Sequence, residues 1–503
     1  MKIPRLRTGG SLSVAGFVFI WTLLWWAMRT LARPNLDGYG DMLENYAWGQ
    51  VFEWGTHKHP PLQAWLAGAW FRVWPDTAWA YWLLAGLNVA VALAGVAALA
   101  RQDAKAGRSR SLALVAVLLA ALALPYSTLA GKLNANSVLL AVWPWLVWVL
   151  LRSVRAHGRP LLQAVALGLL AALAMLGKYY SAVLLTALAL ALLLSPSGRR
   201  WYLTRWPWLA LAVCLLALSP HMAWLVHHEG LPLKYVEDQG DGRIGGVNLL
   251  KFALGPLMYW AIPLLGVLWA VRRQPRAALR RIWRGPDDIL LTASVLVWAI
   301  SMGFGLSGFV ELSLPWIIPI GFAYTVLLVR ALDDGQIDAC AAALRRHGLK
   351  GAAALLGLAG VMTAVSAFKP SRAYDLPREA AAQAVMALWQ QQHPGQKLAW
   401  VSGAWPEIAL LAFYGDAQVR VLPERPDTPV SLTFSRQGQF AGQWGAWLCP
   451  GAGADAACSA QAQQLARRSG QPLQTLTVHA SGWRWHWRQP KDVPYSVVFI
   501  PPN

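Results

Sequence analysis

The chain has 503 residues, 56% of them hydrophobic and only 14% charged, with 30 tryptophans and a formal net charge of +20. Soluble domains carry about 25% charged residues, so the composition excludes an ordinary soluble enzyme and points to a polytopic membrane protein. The basic surplus gathers in alternate loops between apolar segments, which reads as a topology signal and speaks against nucleic-acid binding.

Residues 1–32 are basic, then apolar, and continue into "MRTLARP" without a small-residue cleavage site. They read as a retained first span rather than a cleaved signal peptide. A span needs roughly 20 apolar residues. Eleven candidates follow in order, near 12–31, 79–100, 111–131, 133–151, 160–177, 179–198, 206–226, 250–271, 288–306, 312–330 and 351–368. With the N-terminus in the cytoplasm, the cytoplasmic segments hold more than half of the 44 Lys and Arg, including Arg284 and Arg330. The expectation is therefore a multi-pass protein of a bacterial inner membrane, with residues 1–368 forming the membrane part.

An odd number of spans puts residues 369–503 outside, in the periplasm. There "DLPREAAAQAVMALWQQQH" reads as an amphipathic helix, and "KLAWVSG", "AQVRVLP" and "YSVVFIPP" read as strands. The expectation is a small α/β domain. It contains Cys449 and Cys458, and a disulfide between them fits an oxidising compartment; two unpaired thiols are the alternative.

Two outer loops, 32–78 and 227–249, are longer than connection requires. The first contains "DGYGDMLENYAWGQVFEWG", predicted as a short helix at the membrane surface, with Trp48, Trp54, Tyr39 and Tyr46 suited to the water–lipid boundary. At helical spacing Asp37, Asp41, Glu44 and Trp48 share a face. Asp41 and Glu44 also fit a capping box, which would explain both without catalysis. A box alone does not explain their place beside "HKHPPL", where Lys58 stands between His57 and His59. Lys58 is either a snorkelling side chain or a fixed cation for a phosphate. Lys132, Asn134 and Asn136 fall between spans three and four, and Lys178, Tyr179 and Tyr180 between spans five and six, on the same side. Lysines there serve as anchors at the bilayer edge or converge on an anion pocket. The second loop, "VHHEGLPLKYVEDQGDGRIGG", reads as a lid offering His227, His228, Lys234, Tyr235 and Arg243. No histidine spacing matches a strong zinc pattern, so no metal is assigned.

The sequence "DMLENYAWGQVFEWG", then "KHPPLQAWL", "GKLNANSVLLAVWPW" and "LAMLGKYYSAVLL" resembles the bacterial glycosyltransferase family 39 group, relatives of the protein O-mannosyltransferases and of the lipid A aminoarabinose transferase. The resemblance covers roughly residues 12–330. It implies the C-type glycosyltransferase fold and a polyprenyl-phosphate sugar donor used on the outer membrane face. It also implies a reaction-centre acid at Asp41, with Glu44 second and Asp37 a lesser alternative. Lys58 matches a position that meets the donor phosphate, and Lys178 a second basic one. The chain departs from the pattern at "LNANS", where many relatives carry an Asp; Asn134 or Asn136 can bond a sugar but cannot act as a base.

Together these readings give an inverting transferase that moves a sugar onto lipid A, a glycan or a protein. Asp41 accepts the acceptor's proton with Glu44 beside it. Lys58, Lys178, Lys132 and Arg243 take up phosphate charge, and His57, His59, Asn134, Asn136, Tyr179 and Tyr235 contact sugar or acceptor. The competing class is a transporter or flippase of lipid-linked sugar, though such proteins usually show repeated halves, and no internal repeat is present.

Overall fold

The structure is a computed structural model describing residues 13–32, 36, 40–104, 109–238, 245–368, 377–405, 407–422, 442–450, 456–479 and 492–502. The chain runs α1 (Val14–Ala32), α2 (Asp41–Gly49), α3 (Leu62–Phe71), α4 (Ala78–Asp103), α5 (Ser109–Leu122), α6 (Ala135–Val154), α7 (Pro160–Gly177), α8 (Ser181–Leu194) and α9 (Pro196–Tyr202). It continues through α10 (Trp206–His227), α11 (Leu231–Asp238), α12 (Gly246–Tyr259), α13 (Ala261–Val271), α14 (Pro275–Ile282), α15 (Ile289–Leu306), α16 (Gly321–Ala331) and α17 (Asp334–Phe368).

Among the described residues, seven helices are long and apolar enough to cross a membrane, and up to nine if each of two bent pairs is one span. The other two of the eleven expected spans take different forms. The segment 111–131 yields the 14-residue α5 and a 3-10 turn at Leu124–Tyr126 that contains Pro125. At 1.5 Å per residue α5 is about 21 Å long, short of a bilayer core of about 30 Å. Its residues Ala113 to Val117 are buried, so it is an interior helix packed against α4, α16 and α17. The segment 351–368 is the second half of α17, a 35-residue helix that starts in polar sequence. The expected span at 179–198 bends by 104° between α8 and α9. There Ser195 accepts from the Gly198 amide and Pro196 opens the new helix, a combination that starts a helix rather than continuing one.

The core sits where α4 packs between α1, α5 and α6, and where α7 lies against α6 and α10. Tyr81, Tyr126 and Trp143 are fully buried there. At the end of the bundle that carries the first long loop, α2 crosses α3 at two glycines. A Cβ on Gly49 would meet the Ala64 carbonyl at 2.6 Å and the Gly68 amide at 2.7 Å. Only glycine permits that approach, which sinks α2 into the protein.

Beyond α17 come α18 (Arg378–Gln392), β1 (Trp400–Gly403), β2 (Arg420–Val421), β3 (Gly445–Pro450), α19 (Ala456–Ser469), β4 (Gln474–Val478) and β5 (Val493–Ile500). The sheet order is β2-β1-β3-β5-β4; β1 is parallel to both neighbours, and β5 is antiparallel to both of its own. The helix and three strands expected from sequence correspond to α18, β1, β2 and β5, while β3, β4 and α19 were not anticipated. Cys449 of β3 and Cys458 of α19 form a disulfide with their Cα atoms 5.8 Å apart.

This unit sits on α2. The Tyr46 hydroxyl donates to the Ala412 carbonyl at 3.3 Å, and Gln50 donates to the Val419 carbonyl at 3.1 Å. The expectation of an interfacial α2 is thereby corrected. Met42 through Gly49 are all buried, and Tyr46 and Trp48 belong to the interior because the C-terminal unit covers them. Of the two loop tryptophans, Trp54 is the exposed one. Tyr39 and Asp37 lie outside the described residues.

Candidate active site

Helix α2 begins at Asp41, and Gly40 precedes it with φ 80° and no side-chain cap. The capping-box reading therefore fails, and both carboxylates are used elsewhere. Asp41 Oδ2 lies 2.9 Å from Lys132 Nζ and accepts from Asn134 Nδ2 at 2.9 Å. One turn on, Lys58 Nζ approaches the two Glu44 oxygens at 3.2 and 3.1 Å. Glu44 Oε1 also accepts from the Trp405 indole at 2.7 Å.

The "LNANS" turn fixes a third group. Asn134 caps α6: its Oδ1 accepts from the Asn136 and Ser137 amides at 3.1 and 3.0 Å, while its Nδ2 serves Asp41. The positive end of the α6 dipole thus lies beside the Asp41 carboxylate, where a negative charge is favoured. Asn136 Oδ1 accepts from Lys178 Nζ at 2.7 Å, and the same ammonium stands 4.7 Å from the centre of the Trp316 ring. Lys178 is the C-cap of α7, and its backbone N–H bonds the Ala174 carbonyl.

The two carboxyls are driven apart. Burial raises Asp41, but the Lys132 ammonium, with Asn134 and Lys58, more than reverses this and holds it below the ordinary range. Burial pushes Glu44 above that range, with Lys58 and Trp405 opposing only in part. Burial pulls Lys178 down to about 7, against the attraction of Asp41 and aided by Lys58. Burial, then Lys178 and Lys58, holds His59 well below the usual histidine range and keeps it neutral. Carboxyls separated in this way are a recurrent arrangement for proton transfer.

The remaining sequence candidates divide. Tyr235 of α11 reaches the site, with its ring centre 5.9 Å from Lys58 Nζ and 6.1 Å from the His59 ring. His57 is buried with its ring edge-on to Trp48 and Trp405. The Tyr179 hydroxyl contacts His221 Nε2 at 3.0 Å, and His221 Nδ1 contacts the Trp54 carbonyl at 2.6 Å. A carbonyl only accepts, so Nδ1 carries the proton and Tyr179 donates to Nε2. His221 therefore ties the first loop to α10, and Tyr179 holds His221 from the turn after α7. The Asn134 and Asn136 side chains bond Asp41 and Lys178. Arg243 lies outside the described residues. Among the described residues, no three His, Cys, Asp or Glu side chains converge as a metal site.

Sequence reasoning missed Trp405, Trp316 and His221. Nothing local marks Trp405, which is 361 positions from Glu44. Trp316 could have been found, because it lies in a Pro-rich segment at the start of the predicted span 312–330.

Residues 58–224 match the family model described as dolichyl-phosphate-mannose-protein mannosyltransferase. Among curated proteins, no sequence matches. Two crystal structures of ArnT from Cupriavidus metallidurans are similar to the whole chain at 15% identity, each alignment covering 97% of this chain and 98% of that one. The TM-score is 0.62 for the apo state and 0.58 for the complex with undecaprenyl phosphate. The match over residues 58–224 agrees with the family 39 resemblance, and the chain has the C-type glycosyltransferase fold.

Proposed function

We propose that the protein transfers a sugar from a polyprenyl-phosphate donor to a hydroxyl-bearing envelope acceptor (lipid A, a glycan or a protein) at the periplasmic face of a bacterial inner membrane. The observation that carries this reading is the set of two carboxylates and three ammonium groups, Asp41–Lys132, Glu44–Lys58 and Lys178, brought together at one end of an apolar bundle. The match of residues 58–224 supports it, as does the likeness to a protein solved with undecaprenyl phosphate.

In this reading the acceptor oxygen attacks the anomeric carbon, and its proton passes to the Asp41 carboxylate. The bond between that carbon and the phosphate oxygen breaks, and polyprenyl phosphate leaves with the electron pair. Lys58 and Lys178 meet the charge that grows on the phosphate, with Lys132 holding Asp41 ionised. A single displacement inverts the anomeric centre. The reaction needs no metal, because ammonium groups take the phosphate charge; transfer should persist in EDTA.

The test is purified protein in liposomes with a radiolabelled polyprenyl-phosphate sugar and an envelope lipid extract. Label appearing on an acceptor, with inverted configuration, supports the transferase. Label crossing the bilayer still attached to its carrier, without transfer, supports a flippase and overturns the reading.

A further inference from the structure

Among the described residues, the C-terminal unit reaches the carboxyl pair through Trp405. Strand β1 ends at Gly403, which has φ 130°, and a Cβ there would strike the Leu448 carbonyl of β3. The Ala404 amide then bonds that carbonyl at 3.0 Å. This leaves Trp405 at a fixed exit from the sheet, with its ring 5.8 Å from Trp48 and 6.1 Å from His57. Its indole N–H ends on Glu44 Oε1 at 2.7 Å.

We propose that Trp405 is a positioning residue of the transfer site, through which docking of the C-terminal unit on α2 fixes the Glu44 carboxylate. The inference rests on the transferase reading for its catalytic consequence, though not for the contact itself. Glu44 has two described partners, and they differ in permanence. Lys58 is the group a donor phosphate would attract, since an ammonium is a mobile point charge on a flexible stem. An indole N–H is a neutral donor, so a phosphate attracts it far less than it attracts an ammonium, and the Trp405 backbone is set by the sheet. When Lys58 turns to phosphate, Trp405 remains as the donor that keeps Glu44 in place next to Asp41. Among the described residues, the other charged or titratable groups around the Asp41–Glu44–Lys58 cluster are His57 and His59 on the loop after α2, Tyr235 of α11, and Lys132 and Lys178 from the membrane connections. Among the described residues none of them belongs to the C-terminal unit, and Trp405 links that unit to the carboxyl pair.

Trp405→Phe keeps a ring against Trp48 and removes the N–H. A hydrogen bond to a charged group is worth roughly a ten- to hundredfold effect, so kcat should fall by about that factor. The donor KM should stay within about twofold and the melting temperature should hold. The acidic limb of the rate profile should move to higher pH, because the ionised carboxylate has lost a donor. Trp405→His, which restores an N–H, should recover part of kcat. A second readout needs no substrate: the carboxyl band of Glu44 in infrared difference spectra, assigned with Glu44→Gln, should titrate at higher pH in Trp405→Phe. An unchanged band and unchanged kcat overturn the proposal. A parallel loss of kcat, donor binding and melting temperature also overturns it, as a purely structural role. If the wild type moves no sugar, the transferase reading falls, and the Glu44 titration still decides whether Trp405 governs that carboxyl.

Discussion

Asp41 owes its charge to Lys132 and Asn134, and both of its partners come from the turn before α6. Asp41 and Lys132 are each about a quarter exposed, 26% and 28%, and pairs so exposed to water contribute at most about 1 kcal/mol. Asp41→Asn should therefore leave the melting temperature nearly unchanged while lowering kcat by about 10²- to 10⁴-fold, the usual share of a general base. Full activity in Asp41→Asn would remove Asp41 from the reaction. Lys178 gives a second prediction, about pH. Its ammonium is lost at about 7 in the folded protein, against 10.5 for an ordinary lysine. Only the charged form attracts phosphate, so polyprenyl-phosphate binding should tighten as pH falls through about 7. Above that pH, binding should take up a proton, detectable by calorimetry in buffers of different ionisation enthalpy. Lys178→Arg should flatten the pH dependence, and a flat wild-type profile would refute the assignment. Most of these residues were legible in the sequence, because a charge beside an apolar run is conspicuous. Which acid pairs with which lysine was not legible: Lys58 is 14 positions from Glu44 and Lys132 is 91 from Asp41, and sequence distance does not rank such pairs.

Elements decide how those charges are aimed. In the turn "LNANS" the side chains of Asn134 and Ser137 close a capping box, and those of Asn134 and Asn136 hold Asp41 and Lys178. Asn134→Ala should cost about 1 kcal/mol, the usual value of an N-cap, and free the Asp41 carboxyl. Asn134→Asp separates the two roles. An aspartate caps a helix as well as asparagine does, so stability should be kept. The new negative charge beside Asp41 raises its pKa, so the acidic limb of the rate profile should shift to higher pH. If Asn134→Asp leaves the profile unmoved, the turn does not tune Asp41. Helix α2 shows why a surface reading failed where the helix prediction itself succeeded. Its periodicity was visible, but its cover is a sheet that begins more than 350 residues later, and local pattern carries no trace of such a lid.

At the scale of the molecule, the site end is balanced by an ionic lock at the opposite end of α4. That helix has 26 residues and is about 39 Å long. At its far terminus Arg330 meets Asp103 through two contacts of 2.8 and 2.9 Å and Asp288 at 2.6 Å, with Arg284 a further 3.0 Å partner of Asp103. All except Arg284 are nearly inaccessible to water. In the sequence Arg284 and Arg330 counted only as topology signals, since a basic residue at a span end looks the same whether it faces headgroups or a buried carboxylate. The lock joins α4, α15 and α16, so it ties the long helix under the site to the later half of the bundle. Removing one member of a buried network leaves an uncompensated charge, which costs about 3–5 kcal/mol. Arg330→Met should therefore lower stability in detergent by about that amount, with kcat per folded molecule unchanged because the lock is remote from Asp41. Adding Asp288→Asn removes one orphaned charge, so the double variant should be more stable than Arg330→Met alone. If the second substitution only adds to the damage, the cluster acts through packing rather than charge balance.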